Sequence, residues 1–376
     1  MQTLFKLKIE KIMSEVRKSF DVDLIILRSS DVLSYLFAEI YNPPPNEVSV
    51  TSVVIDMRTS SVTAYVSLLD YFRVREYYGD IPMLNIVPFF SWSTTFLDNL
   101  NVIGSDEMKK NIENLIDKAR AIASDSLSAC ESRLCVNIKP LINKIRRTKL
   151  DEEVSMIKNA IRISEKAIEE VSTLIASGIS EKDIAGKLIE LALSFGADGI
   201  AFTPIVAIGR NSAKPHHIPQ AVKFSGREPI LIDFGVRFKG YVSDVTRILI
   251  RSNLSAEYEG VHEYINSLNE VIDTVVKELK SDIKAGFIDS IARDLMKRKN
   301  IDTYFIHGLG HGIGVDIHEP PRISSSSADM LVLGDVVTIE PGIYIYNRFG
   351  VRIEENVYID SSGGKLLTTL PRVIQL

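Results

Sequence analysis

Residues 307–319 read HGLGHGIGVDIHE and hold three of the protein's six histidines. Glycines alternate at positions 308, 310, 312 and 314, and each would cost a helix about 0.5–1 kcal/mol relative to alanine. His307 and His311 have the spacing of a helical zinc motif, but Gly308 stands where that motif requires glutamate. The run also lacks the glycine spacing and the Lys-Ser/Thr ending of phosphate-binding loops. We therefore interpret it as an extended segment that carries functional histidines.

The composition is that of a globular protein, and the chain of 376 residues is longer than a typical single domain. Its net charge of -5 comes from interspersed acidic and basic residues, so neither a nucleic-acid partner nor a membrane partner is expected. The two cysteines fit neither a disulfide scaffold nor a four-cysteine zinc site, and we expect reduced thiols, with a local disulfide as the less favoured alternative. The N-terminus has no signal-peptide pattern, and no apolar run reaches membrane-spanning length. These features predict a soluble, cytoplasmic protein.

The first half of the chain alternates helical and strand patterns. Apolar residues recur at helical spacing over residues 4–20, and short apolar runs at 22–27 and 50–55 are typical of buried strands. No constellation of acids, histidines or cysteines appears in this half of the sequence. Near residue 145 the pattern changes to a strongly helical segment. The sequence thus predicts an α/β support domain over residues 1–144 and a domain that carries the chemistry over residues 145–376.

Four apolar runs in the second half each carry an acid that could serve a site, and we predict each run to be a strand. They read ILIDFGV (230–236), YVSDVTRILI (241–250), VVTIEPGIYIY (336–346) and VRIEENVYI (351–359). Each pair of runs follows two helical stretches, so the order of helices and acid-bearing strands occurs twice. The pattern predicts two similar α/β halves whose four acids, Asp233, Asp244, Glu340 and Glu354, meet between them.

A single buried acid has an ordinary explanation. Asp233 stands between Ile232 and Phe234, where backbone amides or Arg247 could satisfy its charge. Four acids beside a histidine segment are harder to explain separately, because like charges raise one another's pKa and multivalent cations are the usual way to keep them ionised. Four carboxylates and one imidazole suit two divalent ions, with Mn, Co, Fe and Zn as candidates. Two such ions about 3.5–4 Å apart activate water against a carbonyl, so the expected reaction is hydrolysis.

Further side chains are placed near the acids by their spacing. Arg352 and Glu354 are two positions apart on a predicted strand and share a face, whereas Glu355 projects to the other face. Arg352 could pair with a ligand carboxylate or bind an anionic group of the substrate. The adjacent His216 and His217 precede the first acid-bearing strand in a loop, from which an imidazole can reach the rim of a site. The sequence leaves open which of the two faces inward.

Five motifs, in order along the chain, resemble those of the proline-specific metallopeptidases, prolidase (Xaa-Pro dipeptidase) and aminopeptidase P. They are IDFG (232–235), YVSDVTR (241–247), the histidine segment with its following proline (307–320), EPGIY (340–344) and VRIEE (351–355). The resemblance extends from about residue 145 to the C-terminus. It implies a creatinase-like N-terminal α/β domain followed by a pseudo-symmetric catalytic domain of the pita-bread fold.

The resemblance also implies roles for individual residues. The ligands of two divalent ions would be Asp233, Asp244, His311, Glu340 and Glu354, with Asp244 and Glu354 bridging. Glu340 would also accept the proton of the attacking water. The other implied site residues are His318, which assists substrate binding and stabilises the tetrahedral intermediate, His307 and His216, which line the substrate site, and Tyr344 and Arg352, which lie near the substrate.

The tertiary amide of an Xaa-Pro bond has no N–H, and the proline ring fixes the chain direction. Peptidases that bind an extended backbone through that N–H therefore handle the bond poorly, and a dedicated peptidase is expected. The expected substrates are Xaa-Pro dipeptides or short peptides, and the resemblance implies a homodimer. We favour dipeptidase over aminopeptidase P because the chain is compact. Methionine aminopeptidase and a non-hydrolytic binding protein of the same fold are further candidates, although binding proteins of this kind generally lose metal ligands and all five implied ligands are present here.

Overall fold

The computed structural model describes residues 4–40, 50–90, 100–126 and 135–376. The chain divides into two compact units, Met1–Arg146 and Arg147–Leu376. Each unit combines helices with strands, so the α/β class predicted from the sequence is confirmed. No helix among the described residues is both long enough and apolar enough to cross a bilayer.

The first unit is built around one sheet. Its helices are α1 (Leu4–Ser19), α2 (Ser30–Leu36), α3 (Leu68–Tyr78), α4 (Ser105–Lys118) and α5 (Lys139–Arg147). Its strands are β1 (Leu24–Leu27), β2 (Val50–Asp56), β3 (Ser61–Ser67), β4 (Leu84–Phe90), β5 (Ile103–Gly104), β6 (Ile122–Ser124) and β7 (Cys135–Asn137). They lie in the order β5-β4-β3-β2-β1-β6-β7. Pairs β1–β2 and β2–β3 are antiparallel and the other neighbours are parallel.

Two details of this unit bear on the sequence predictions. Strand β1, with the sequence LIIL, is buried along its whole length, as the continuous apolar run predicts for a strand inside a sheet. Cys135 in β7 is disulfide-bonded, so the expectation of reduced thiols is wrong for this residue. Cys130 lies outside the described residues.

The second unit contains the predicted site. Its helices are α6 (Asp151–Leu174), α7 (Glu181–Ser194), α8 (Val261–Glu278) and α9 (Ala285–Arg298). Its strands are β8 (Gly199–Ile200), β9 (Ile205–Ile208), β10 (Ile230–Phe234), β11 (Val236–Phe238), β12 (Tyr241–Val242), β13 (Val245–Ile250), β14 (Gly310–Gly312), β15 (Glu319–Ile323), β16 (Val336–Ile339), β17 (Gly342–Ile345), β18 (Phe349–Arg352), β19 (Glu355–Asp360), β20 (Gly363–Leu366) and β21 (Val373–Gln375). Short 3-10 turns lie at Gly209–Ala213, Ala256–Tyr258 and Asp302–Tyr304.

Two larger sheets organise this unit. One has the strand order β21-β13-β10-β9, and its central strands follow helices α6 and α7 in the chain. The other has the order β15-β14-β16-β19-β20, and all its strands follow helices α8 and α9. The repeated order of two helices and then acid-bearing strands is therefore present. Two smaller sheets, β12-β11-β8 and β17-β18, complete the unit.

A stripe of apolar residues on α8 fixes one of these sheets. Leu268, Val271, Ile272 and Val275 recur at helical spacing and are fully buried. They belong to one hydrophobic cluster with Ile339, the last residue of β16. Burying each such side chain stabilises the fold by about 1.5–3 kcal/mol. The packing therefore holds β16 in place up to the residue that precedes the predicted ligand Glu340.

Each of the four predicted acid-bearing strands is interrupted, so the prediction of single continuous strands is wrong. The interruptions fall at Gly235, between Val242 and Val245, at Glu340–Pro341 and at Ile353–Glu354. Asp233 lies within β10, opposite Thr246 of β13, whereas the other three acids lie in the gaps between strands. At these gaps the chain passes from one sheet to another. The acids are thus carried by short crossing segments rather than by straight strand faces.

Ser243 gives the physical reason for one of these interruptions. Its N–H donates to the carbonyl of Val236 at 3.0 Å, and its Oγ accepts from the Val236 N–H at 3.0 Å. The same Oγ lies 2.8 Å from Oγ of Ser164 on α6. A Cβ on Gly235 would lie 2.1 Å from the carbonyl oxygen of Ser243, so only glycine permits this approach. These contacts place Asp244, the next residue, beside β10.

Candidate active site

Three predicted ligands form a compact group. Ligand atoms of Asp244, His311 and Glu354 all lie within 4.8 Å of one another. The Nε2 of His311 lies 3.7 Å from Oδ2 of Asp244 and 3.3 Å from Oε1 of Glu340, so Glu340 lies beside the group. Asp233 is a further neighbour, because its negative charge is one of those that raise the pKa of Asp244. The structure therefore brings together all five residues that the sequence predicted as ligands.

The backbone around His311 sets the direction of its ring. Gly310 approaches β16 so closely that a Cβ would lie 1.9 Å from the carbonyl oxygen of Thr338. The His311 N–H donates to Oγ1 of Thr338 at 3.2 Å. Its Nδ1 lies 3.2 Å from the carbonyl of Gly312 and carries the proton, because a carbonyl can only accept. In the neutral ring, Nε2 faces the carboxylates with a free lone pair, as in metal-ligating histidines.

Two carboxylate oxygens at the site have no protein partner. Oδ1 of Asp233 and Oε1 of Glu354 are buried and accept no hydrogen bond within the described part of the chain. The other oxygen of Asp233, Oδ2, accepts from Nη2 of Arg352 at 2.5 Å. The other oxygen of Glu354, Oε2, accepts from Oγ1 of Thr246 at 2.9 Å. Buried acceptors without a partner are costly. A divalent cation would satisfy both oxygens, so the residues present fit a metal centre.

Burial and crowding of like charges dominate the electrostatics of the group. Desolvation, and then the charges of Glu354, Asp233 and Glu340, raise the pKa of Asp244 well above its ordinary value. Desolvation, and then the charges of Glu340 and Asp233, raise the pKa of Glu354 in the same way. Positive charge held between these carboxylates would oppose both effects.

Glu340 behaves differently from the other acids. Burial acts to raise its pKa, but at the acid pH where Glu340 titrates, the hydrogen bond and charge of protonated His311, and then the charges of protonated His307 and of Arg352, bring the pKa below its ordinary value. Its side chain is 19% exposed, compared with 9% for Asp244. Glu340 is therefore more open to proton exchange with solvent than its neighbour.

Arg352 connects the carboxylates to a chain of hydrogen bonds. Its Nη1 donates to the hydroxyl of Tyr344 at 2.7 Å, and that hydroxyl lies 3.0 Å from Nε2 of His307. Nδ1 of His307 donates to the carbonyl of Gly308 at 2.8 Å, so in the neutral ring Nε2 accepts from Tyr344. Burial raises the pKa of Tyr344 to about 12 and lowers the pKa of His307. The phenol thus stays protonated and the imidazole neutral at neutral pH.

His318 lies against the predicted ligand His311. The two ring centroids are 4.4 Å apart in an edge-to-face arrangement. Partial burial, and then the charge of His311, lower the pKa of His318, and His216 contributes in the same direction as a nearby positive group. Both His318 and His216 are exposed to solvent. They therefore lie on the open side of the group rather than within it.

The structure distinguishes the two adjacent loop histidines. His217 is buried, and its Nε2 donates to Oε2 of Glu181 on α7 at 2.8 Å. His216, by contrast, is exposed. Glu181 follows the cap of α7, which is formed by the reciprocal pair of Ser180 and Asp183. No local pattern connects Glu181 with a histidine 36 positions away.

The ordinary explanation for Asp233, in which Arg247 satisfies its charge, is wrong. The partner of Asp233 is Arg352. Arg247 is fully buried and pairs with Glu355 at 3.2 Å. Glu355 also accepts from Arg372 at 2.6 Å, so it serves a separate ion-pair network.

Two residues that support the ligands were missed in the sequence. Thr246 donates to Glu354, as described above, and the side-chain amide of Asn356 donates to the backbone carbonyl of Asp244. Both residues lie next to or within the quoted motifs, but strand alternation gives only the face of a side chain and not its partner. Their contacts join positions 108 and 112 residues apart.

Comparisons with known proteins agree with this geometry. The family model described as metallopeptidase family M24 matches residues 155–361. The Xaa-Pro dipeptidase of Pyrococcus furiosus is 37% identical over 235 residues, which are 62% of this chain and 67% of that protein. The structure of an Xaa-Pro dipeptidase from Bacillus anthracis has a TM-score of 0.81 at 26% identity and covers 99% of this chain and 100% of its own. The structure of an X-Pro aminopeptidase from Thermotoga maritima has a TM-score of 0.77 at 28% identity, covering 96% and 99%.

These matches bear on both the fold and the site. The similarity to the solved dipeptidase extends over nearly the whole chain, which confirms the predicted pita-bread fold class. The matched range of the family model contains His311 and the four acids that the structure gathers around it. Because that range covers more than half of the sequence, the chain belongs to metallopeptidase family M24.

Proposed function

We propose that this protein hydrolyses Xaa-Pro peptide bonds and that Xaa-Pro dipeptides are its main substrates, which would make it a prolidase. The observation that carries the proposal is the group of Asp244, His311 and Glu354, with ligand atoms within 4.8 Å of one another, in a chain of a metallopeptidase family. The substrate class is supported by the Xaa-Pro dipeptidase from Pyrococcus furiosus. The proposal includes a support domain over residues 1–144, a catalytic domain over 145–376, and a cytoplasmic homodimer.

The proposed metal ligands are Asp233, Asp244, His311, Glu340 and Glu354, which would hold two divalent ions. The unpartnered oxygens of Asp233 and Glu354 support this assignment. Divalent ions held by these residues would supply the positive charge that activates water and polarises a peptide carbonyl. The donor set of oxygens and one nitrogen, without sulfur, suits Mn, Co, Fe and Zn.

Glu340 and His318 are the proposed groups for proton transfer and charge stabilisation. Glu340, with its lowered pKa, is ionised at neutral pH and can accept the proton of the attacking water. His318 has a lowered pKa and lies beside His311 on the open side of the group. From there its ring can donate a hydrogen bond to the oxygen of the tetrahedral intermediate.

The proposed substrate-binding residues are Arg352, Tyr344, His307 and His216. Arg352 and Tyr344 form one chain of hydrogen bonds with His307, so their polar atoms are ordered before a substrate arrives. Such preorganisation lowers the cost of holding a short peptide in a reactive geometry. His216 is exposed in the loop before β10 and adds a further donor at the rim.

Aminopeptidase P is the second candidate, and the similarity to the X-Pro aminopeptidase structure from Thermotoga maritima favours it. Both reactions can use the same ligands and the same attacking water. They differ in whether a residue after proline is accepted. Methionine aminopeptidase and a non-hydrolytic binding protein have no comparable observation in their favour.

The test uses metal-stripped protein to which Mn, Co or Zn is returned. Release of proline from an Xaa-Pro dipeptide and release of the first residue from an Xaa-Pro-Xaa tripeptide are measured side by side. We expect cleavage of the dipeptide alone. Cleavage of the tripeptide as well would move the assignment to aminopeptidase P, and cleavage of neither by protein with bound metal would overturn the substrate class.

A further inference from the structure

Glu181 is a buried carboxylate that the proposed mechanism does not use. It is the first residue of α7 and has no exposed surface. Its two oxygens accept four hydrogen bonds, each of 2.8 Å, from the N–H of Ile208, Nδ2 of Asn211, Nε2 of His217 and the N–H of Gln220. A carboxylate offers about four acceptor sites, so every site of Glu181 is used.

All four donors belong to one segment of chain. Residues 208–220 leave β9, pass through the 3-10 turn of Gly209–Ala213 and contain His216. The described residues 214–220 form no helix or strand, so they have no ladder of main-chain hydrogen bonds to hold them. Because its donors stand at both ends of the segment, Glu181 ties those ends to the start of α7.

The same segment lies against the strand that carries Arg352. Oγ of Ser212 accepts from the N–H of Gly350 at 2.8 Å, and a Cβ on Gly350 would lie 2.1 Å from the Ser212 carbonyl oxygen. Nη1 of Arg352 lies 3.4 Å from the carbonyl oxygen of Pro215, the residue before His216. The segment is thus fixed between two anchors, Glu181 on one side and β18 on the other.

We propose that Glu181 is a positioning residue, which holds residues 208–220 in the conformation that presents His216 to the substrate. His217 serves this anchor, because its ring is buried against Glu181 while the neighbouring His216 is exposed. The inference rests on the proposed function, which gives His216 its place in the substrate site. An amide cannot replace the carboxylate, since glutamine offers one acceptor oxygen and turns N–H donors toward other donors.

The test compares Glu181→Gln with Asp183→Asn. Asp183 lies on the same helix and accepts from the N–H and the hydroxyl of Ser180 in the cap of α7, so it controls for damage to the helix start. Hydrogen exchange should become faster over residues 208–220 in Glu181→Gln and not in Asp183→Asn. With an Xaa-Pro dipeptide, Glu181→Gln should raise KM about tenfold or more, the scale of a lost hydrogen bond to a charged group, and leave kcat within about threefold of wild type.

His216→Ala identifies the route of the effect. If Glu181 acts through His216, the double variant Glu181→Gln/His216→Ala should have the KM of His216→Ala alone. Additive effects on KM, a wild-type KM in Glu181→Gln, or unchanged exchange over residues 208–220 would each overturn the proposal. Wild-type protein that binds metal but cleaves no Xaa-Pro dipeptide would instead overturn the proposed function. In that case hydrogen exchange alone decides whether Glu181 holds the segment.

Discussion

Nη2 of Arg352 lies 2.5 Å from Oδ2 of Asp233, while the other oxygen of this carboxylate, Oδ1, is buried and has no hydrogen-bond partner within the described residues. The guanidinium therefore compensates the buried charge and fixes the orientation of the group. It leaves one oxygen available for a cation. Of the two roles that the sequence left open for Arg352, contact with a ligand carboxylate is the one observed.

Arg352→Met should weaken metal binding by about 10- to 100-fold, the usual effect of removing a group that orients a metal ligand. Calorimetric titration of the metal-stripped protein with Mn²⁺ measures this change. Arg372→Met is the matched control, because Arg372 pairs with Glu355 and Asp273 and contacts no predicted ligand. Equal affinities of Arg352→Met and wild type would show that Asp233 does not depend on the guanidinium.

Glu340→Gln should reduce kcat by about 10²- to 10⁴-fold, because the amide cannot accept the proton of the attacking water. The fold should persist, since the amide is nearly isosteric and the side chain is only partly enclosed, at 19% exposure. Steady-state kinetics and a thermal unfolding curve measure the two effects. Unchanged turnover in a folded variant would remove Glu340 from the proposed role.

His318→Ala should mainly lower kcat, by about 10²- to 10³-fold if its ring stabilises the oxygen of the intermediate. The variant should unfold like wild type, because the ring is exposed. His262→Ala is the control, since His262 is exposed on α8 and should leave the kinetics unchanged. Wild-type kinetics in His318→Ala would show that the residue was assigned wrongly.

Removal of divalent metal should destabilise the second unit. Asp233, Asp244, Glu340 and Glu354 form a buried group whose mutual repulsion a cation would relieve. Returning metal at about 100 times its Kd should add about 2.7 kcal/mol to the free energy of unfolding. Differential scanning calorimetry with a chelator, and then with Mn, Co or Zn, measures the shift. The shift should shrink in Asp244→Asn, and an equal shift in that variant would place the stabilising metal elsewhere.

Local sequence pattern predicted the type of most elements near the site. One of the strand breaks that the structure revealed can also be explained by a single residue in the sequence. The break after β16 occurs at Pro341, because proline has no N–H to donate to a neighbouring strand. The break between β12 and β13 has no such residue. It arises because Ser243 bonds to Val236 and Ser164, contacts that only the folded chain creates.

Partners of charged groups were the least predictable feature. Clustering of acids and histidines in apolar segments was enough to predict the four acids, and the family resemblance added His311 as the fifth ligand candidate. The choice of Arg352 over Arg247 as the partner of Asp233 was not predictable, because both arginines lie on strands and the pair that forms spans 119 residues. The anchor at Glu181 was missed for the same reason, since its donors lie 27 to 39 positions away.

The final prediction is that the close approach of Gly310 to β16 sets the direction of the His311 ring. A Cβ on Gly310 would lie 1.9 Å from the backbone oxygen of Thr338, which no side-chain rotation can relieve, so Gly310→Ala should destabilise the protein by about 1–3 kcal/mol or more. Gly186→Ala is the matched control, because a Cβ there meets no atom within 4 Å inside α7, and alanine should stabilise the helix by about 0.5–1 kcal/mol. Urea unfolding measures both changes. Gly310→Ala should also lower Mn²⁺ affinity, because β14 must move and carries His311 with it. If Gly310→Ala kept wild-type stability and metal affinity, the close approach of β14 to β16 would not be what aims the histidine.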